Sequence, residues 1–314
     1  MLRVLVLIST RSYRIRGDSM IRKTENTMIN KFNVPYLFIF PAFILIFTVV
    51  IYPLLYSFYI SLNNIQGKTT IFVGLSNYID ILGSEYFWHS TGRTIYFTII
   101  SVGLELILGI LVAILLNENF FGRGFVRSLV ILPWALPTVV NGVLWAWIFD
   151  TNYGALNGLL KQLHIIDTYK SWLGTSFSAM NSVIFADVWK NFPMMALILL
   201  AALQTINQGY YEAAKIDGAN VFQRFFNITL PMLKPAILVA LVIRTMEAFK
   251  VFDIIYIMTK GGPANGTQVI SYYAYVTSFQ YVKFGYGAAL SYLVSIVILF
   301  LALIYIKFLY TEEY

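Results

Sequence analysis

The 314-residue chain has no cysteine, only two histidines and few charges, with 12% of its residues Asp, Glu, Lys or Arg against roughly 25% in a soluble domain. The missing cysteine excludes disulfide scaffolds, thiolate zinc sites, iron–sulfur clusters and thiol redox chemistry. His89 and His164 lie between the apolar segments with no companion constellation, which leaves haem, metal and hydrolase chemistry without residues to work with. No GxxxxGK[ST] phosphate loop occurs, and Gly261-Gly262-Pro263 follows no strand, so the chain is not expected to hydrolyse ATP. What abounds is apolar: 59% of residues are hydrophobic and mean hydropathy is +0.72. Too little polar surface remains to cover a soluble fold, and the chain reads as an integral membrane protein.

Crossing a hydrocarbon layer takes about 20 mostly apolar residues. Six such stretches occur, at about 36–62, 94–116, 125–149, 177–203, 236–258 and 287–306. Lipid offers the backbone no hydrogen-bond partner, and these runs lack the alternation of barrel strands. The expected fold is therefore an all-α integral membrane protein with six transmembrane helices, forming one domain over 36–310.

An even number of crossings puts both termini on one side. Thirteen cations lie on that side: Arg3, Arg11, Arg14, Arg16, Arg22, Lys23, Lys31, Arg123, Arg127, Lys215, Arg224, Lys234 and Lys307. Six lie opposite, Lys68, Arg93, Lys161, Lys170, Lys260 and Lys283, although the loops there are longer. The positive-inside rule makes the tails 1–35 and 311–314 cytoplasmic. It also absorbs the net charge of +7, and no basic stripe with interleaved aromatics is left for nucleic acid. Residues 1–19 imitate a signal peptide, but the run Val4 to Ile8 is short and no small-residue cleavage site follows; Met20 is an alternative start.

Ionisable groups inside a span are costly and are functional candidates by default. They are Glu105, Asp187, Lys190, Arg244, Glu247 and Lys250. The competing reading is snorkelling or structural pairing, favoured for Glu105, which has no cation within a helical turn. Arg244, Glu247 and Lys250 instead repeat every third residue, and so share side-chain reach on a helix. Asp187 and Lys190 repeat that spacing. Pro133, Pro137 and Pro193 each free a carbonyl one turn earlier, as kinked helices facing a cavity or a neighbour tolerate. Asn141, Asn191, Trp134, Trp145, Trp147 and Trp189 have the amide and aromatic character that suits a sugar, although tryptophan is equally at home in interfacial belts.

One polar stretch, 209–231, is too long for a simple turn. It reads Tyr211-Glu212-Ala213-Ala214-Lys215-Ile216-Asp217-Gly218-Ala219-Asn220 and later Ile228-Thr229-Leu230-Pro231: a short helix, a glycine able to take a positive φ, a second helix and a proline at the membrane entry. It resembles the EAA loop of permease subunits of ATP-binding-cassette importers. Tyr52-Pro53-Leu54-Leu55, Phe72-Val73-Gly74-Leu75, Leu132-Pro133-Trp134, Phe252-Asp253 and Thr259-Lys260-Gly261-Gly262-Pro263 are similar to the maltose-permease branch, and within it to the first of two unlike permeases. The enteric maltose permease's large periplasmic insertion is absent, as in the shorter six-helix relatives.

The resemblance implies a multi-pass subunit of the prokaryotic plasma (inner) membrane. Its partners would be a second unlike permease, an ATPase dimer that binds ATP and Mg, and an extracytoplasmic sugar-binding protein; the chain itself would bind no cofactor or metal and have no catalytic residue. It places ATPase coupling on Glu212, Ala213, Ala214, Asp217, Gly218 and Ala219. Counted from Trp189 and Pro231, it places the substrate pathway on Lys190, Asn191, Met194, Arg244, Glu247, Ala248 and Val251. A sugar or oligosaccharide is the expected cargo, with a trehalose- or maltose-like disaccharide as one candidate, and an anionic glycoside or a glycerol phosphate ester would also suit Arg244 and Lys190. The rivals are a secondary carrier using intramembrane Asp, Glu and Lys for ion coupling, which offers no reason for an EAA loop, and a membrane-embedded enzyme, which lacks a nucleophile or acid–base pair.

Overall fold

The computed structural model describes residues 38–66 and 69–311. The expectations for 1–35, for a start at Met20, for Lys68 and for 312–314 fall outside the described residues. The chain divides into two compact units, Met1–Tyr59 and Ile60–Tyr314.

In the first unit the described residues belong to helix α1 (Phe38–Ser61), apolar and exposed over 38–56. A π-turn at Phe47–Ile51 interrupts it just before Pro53. Proline has no N–H and crowds the carbonyl four residues back, and a wider turn relieves both problems without ending the helix. The same device recurs at Phe225–Thr229, two residues before Pro231.

The second unit opens with an antiparallel hairpin, β1 (Asn63–Gln66) and β2 (Thr69–Phe72), with Asn63 opposite Phe72. Helix α2 (Ser76–Leu82) follows, and its Asn77 amide donates to the Ser61 and Asn63 carbonyls at 2.8 and 3.2 Å. The remaining helices are α3 (Glu85–Asn117), α4 (Arg123–Ala135), α5 (Thr138–Ile148), α6 (Ala155–Gln162), α7 (Ser176–Leu203), α8 (Gln208–Ile216), α9 (Val221–Phe249), α10 (Asp253–Met258), α11 (Ile270–Tyr275) and α12 (Phe284–Thr311). Among the described residues, α1, α3, α7, α9 and α12 are long and apolar enough to cross a membrane, and the bent pair α4–α5 makes a sixth candidate.

Two boundaries differ from expectation. The stretch 125–149 is not one straight helix, because α4 and α5 meet at 94°. Pro137 forces Leu136 out of the helical region (φ −74, ψ 136), and the helix must stop there. The fifth segment is not continuous over 236–258 either. Helix α9 begins at Val221, ends at Phe249, and is separated from α10 by a break in which Phe252 takes φ −142, ψ −57.

Helix α7 is the most buried span, 61% of its apolar window against 33% for α3 and 17% for α9, so the bundle is built around it. Gly109 of α3 lets that packing be close: a Cβ there would stand 2.7 Å from the Met195 Cβ. The central core joins Phe97 and Val102 of α3 to Val183, Val188 and Met195 of α7, Ala240 and Ala248 of α9, and Ile254 and Ile255 of α10. A second apolar cluster, with Leu116, Leu199, Leu203 and Leu233, closes the end nearest α8.

Candidate functional site

Three spans meet at one guanidinium. Arg244 of α9 is 3% exposed, and its Nε and Nη2 donate to Glu105 Oε2 and Oε1 of α3, both at 2.6 Å. Nη2 also donates to Asp187 Oδ2 of α7 at 3.2 Å, and Nη1 to Glu247 Oε2 at 2.9 Å. Glu105 is fully buried and Asp187 nearly so, whereas the Glu247 side chain is 45% exposed. The bidentate fork suits arginine's planar donors, and a lysine could not reproduce it. Each charge is costly in this setting, and the mutual hydrogen bonds offset that cost.

Polar neighbours extend the cluster. The Asn191 amide donates to Asp187 Oδ1 at 2.9 Å and to the Asp187 carbonyl at 3.0 Å. Fully buried Asn141 of α5 donates to the Ala186 carbonyl of α7 at 3.2 Å, which ties the bent span to α7 beside Asp187. Trp145, Phe149, Phe185 and Trp189 form an aromatic cluster with ring centroids 5.0 to 6.4 Å apart. Trp134 and Trp147 stay exposed.

Of the residues expected along a pathway, Lys190 and Met194 are partly exposed and Glu247 is half-exposed. Ala248 is buried and Val251 packs on the central core. Arg244 is enclosed, with all three guanidinium nitrogens engaged. Glu105 is paired, as the sequence favoured, but with a partner that the sequence did not name. Its cation is 139 positions away, beyond any local spacing rule; the available signal was only that a carboxylate stood inside an apolar span.

The polar stretch between α7 and α9 is built from its caps. Asn207 caps α8 through its side chain. Beyond the C-cap Asp217, Gly218 takes φ +78 and its N–H bonds the Lys215 carbonyl at 3.1 Å, while the Ala219 N–H reaches Ala214 O at 2.8 Å. Asn220 and Gln223 then form a reciprocal capping box that starts α9. Tyr211 and Thr229 hydroxyls at 3.0 Å pin α8 to α9. Glu212, Ala213, Asp217 and Gly218 are exposed and Ala214 and Ala219 partly so, leaving one face of α8 open. A cavity of about 580 Å³ lies between this element and the end of α3, bounded by Ile110, Ile114, Tyr211, Lys215, Arg224 and Phe225.

A helical bundle of apolar spans around a buried ionic centre, with a capped helix–turn–helix between two spans, is an integral membrane fold with a charged interior. Residues 105–311 match the family described as "Binding-protein-dependent transport system inner membrane component". The chain belongs to that family, as a permease subunit of ATP-binding-cassette importers. It is 43% identical over 276 residues to the trehalose/maltose transport system permease protein MalF of Thermococcus litoralis, covering 87% of this chain and 92% of that one. It is 36% identical over 295 residues to the trehalose transport system permease protein SugA of Mycobacterium tuberculosis, covering 93% of each. A solved bacterial ABC transporter involved in import of the acidic polysaccharide alginate has a chain of the same fold, with TM-score 0.79 and 23% identity over 91% of this chain and 98% of that one.

Proposed function

We propose that the chain forms one half of the translocation pathway for a trehalose- or maltose-like disaccharide, beside a second, unlike permease. The observation that carries this reading is the 43% identity, over 92% of its length, to a trehalose/maltose permease. An extracytoplasmic binding protein delivers the sugar, and an ATPase dimer holding ATP and Mg supplies the work. Both termini are cytoplasmic, and α8 with its exposed Glu212, Ala213, Ala214, Asp217, Gly218 and Ala219 docks on an ATPase. Its pinned ends, Asn207 and the capping box on one side and the other, make it a lever. A rigid-body alternation of access follows from moving that lever.

Glu247 is the sugar-facing acceptor in this reading, with Lys190, Asn191 and Met194 on the adjoining face of α7. A carboxylate accepts hydroxyl hydrogen bonds, and charge assistance makes each of them worth about 1.5–3 kcal/mol. Arg244 serves Glu247 and not the sugar, because it is buried and four of its five N–H donors are already engaged. Glu247→Gln in the assembled complex is expected to raise the half-saturation concentration for trehalose roughly tenfold or more, with assembly and binding-protein docking intact. Unchanged kinetics would assign Glu247 to packing.

A further inference from the structure

The geometry points to Glu105 as a positioning residue for the sugar site: through Arg244 it sets the direction in which Glu247 presents its carboxylate. This rests on the reading of Glu247 as sugar-facing. Two parallel bonds from Glu105 engage Nε and Nη2 of Arg244, at 2.6 Å each. A guanidinium held at those two nitrogens is restrained against rotation in its plane. Asp187 takes the other side of Nη2, and Asn191 in turn holds Asp187. Only Nη1 is then left to point outward, and it meets Glu247 Oε2 at 2.9 Å.

The consequence is directional. With Oε2 engaged, Glu247 Oε1 has no bond to any described residue, and it belongs to the one carboxylate of the cluster that is half-exposed. A freely rotating glutamate would lose side-chain entropy on gripping a hydroxyl; one already fixed by an arginine avoids that loss. Glu105 has no exposed surface, so it does not face the sugar, and the hydrogen bonds that lead from it to Glu247 run through Arg244.

The test is a double-mutant cycle on the assembled complex in proteoliposomes, with trehalose and maltose as probes and whichever the wild type takes up as the reporter. Glu105→Gln keeps the shape but replaces one carboxylate oxygen with a donor, breaking the fork. It is expected to raise half-saturation roughly three- to tenfold, in the range of couplings between neighbouring residues, with the maximal rate retained. In the Glu247→Gln background the same change is expected to have no further effect. Glu105→Asp, which keeps the charge but shortens the reach, is expected to fall between wild type and Glu105→Gln, and it stands in should the latter fail to assemble.

Multiplicative effects in the double mutant, or wild-type half-saturation in both Glu105 variants, would overturn the inference while leaving Glu247 in its place. A loss of maximal rate and melting temperature without a change in half-saturation would do the same and make Glu105 a packing residue. Unchanged kinetics in Glu247→Gln alone, or uptake of neither sugar by the wild type, would overturn the underlying functional reading, and the inference with it.

Discussion

Glu105 and Arg244 stand 139 positions apart and are joined by two hydrogen bonds of 2.6 Å, so one carboxylate–guanidinium fork ties α3 to α9 across the face of α7. Removing the arginine would leave two carboxylates enclosed without a cation. Loss of one partner of a buried pair costs about 3–5 kcal/mol. Arg244→Ala is therefore expected to lower the melting temperature of the purified complex sharply, and Arg244→Lys to recover only part of it because a point charge cannot fill a two-oxygen fork. A melting temperature for Arg244→Ala equal to wild type would show that the fork does not hold the bundle.

Close contact of α3 and α7 at Gly109 carries its own test. A Cβ would approach the Met195 Cβ to 2.7 Å and the Ala196 nitrogen to 3.3 Å, and neither atom lies at the end of a flexible side chain. Gly109→Ala should cost stability in the range of overpacking, about 1–3 kcal/mol, and Gly109→Val more. Thermal stability followed by size-exclusion chromatography reads the order glycine, alanine, valine; a more stable alanine variant would contradict it.

The spans were legible because apolar runs bounded by charge need no tertiary information, and Gly218 announced the turn after α8 through purely local chemistry. What escaped was non-local or conditional. The break at Leu136–Pro137 was visible as a proline, but a proline inside an apolar run marks either a kink or a full reversal of direction, and only packing against α7 through Asn141 decides which. The β1–β2 hairpin is too short and too polar to stand out beside its flanking helices. The pairing of Glu105 with Arg244 depends on helix packing, which no spacing rule contains. The grouping of Arg244 with Glu247, three residues apart, was local and could be read directly.

A substitution at Gly218 offers a test that distinguishes transport from assembly. No atom lies within 4 Å of a Cβ built there, so a substitution meets open space, and its penalty is the backbone φ of +78 alone. For a β-branched residue that strain is about 1–3 kcal/mol. Gly218→Val is expected to leave the protein in the membrane and the complex assembled while uncoupling ATP hydrolysis from uptake. Equal ratios of sugar moved to ATP hydrolysed in variant and wild type would contradict it.

Asp150 supplies a pH-dependent turn outside the spans. Its carboxylate accepts the Asn152 and Tyr153 backbone N–H groups at 2.7 and 3.1 Å, and those bonds hold its pKa below the usual carboxylate range. A depressed folded pKa means that the contribution is complete above the unfolded value, about 3.9, and is lost as pH falls through the folded one. Amide exchange at Asn152 and Tyr153 should stay slow down to that acid range and quicken below it. In Asp150→Asn this step should disappear, and exchange independent of pH-linked opening in the wild type would refute the assignment.

The most direct measurement is uptake of labelled trehalose into proteoliposomes holding this chain alone, or the chain with its second permease, ATPase dimer and binding protein, each with and without ATP. Uptake is expected only in the complete assembly and only with ATP. Accumulation by the chain alone, driven by an ion gradient, would contradict the importer reading and make the chain a secondary carrier.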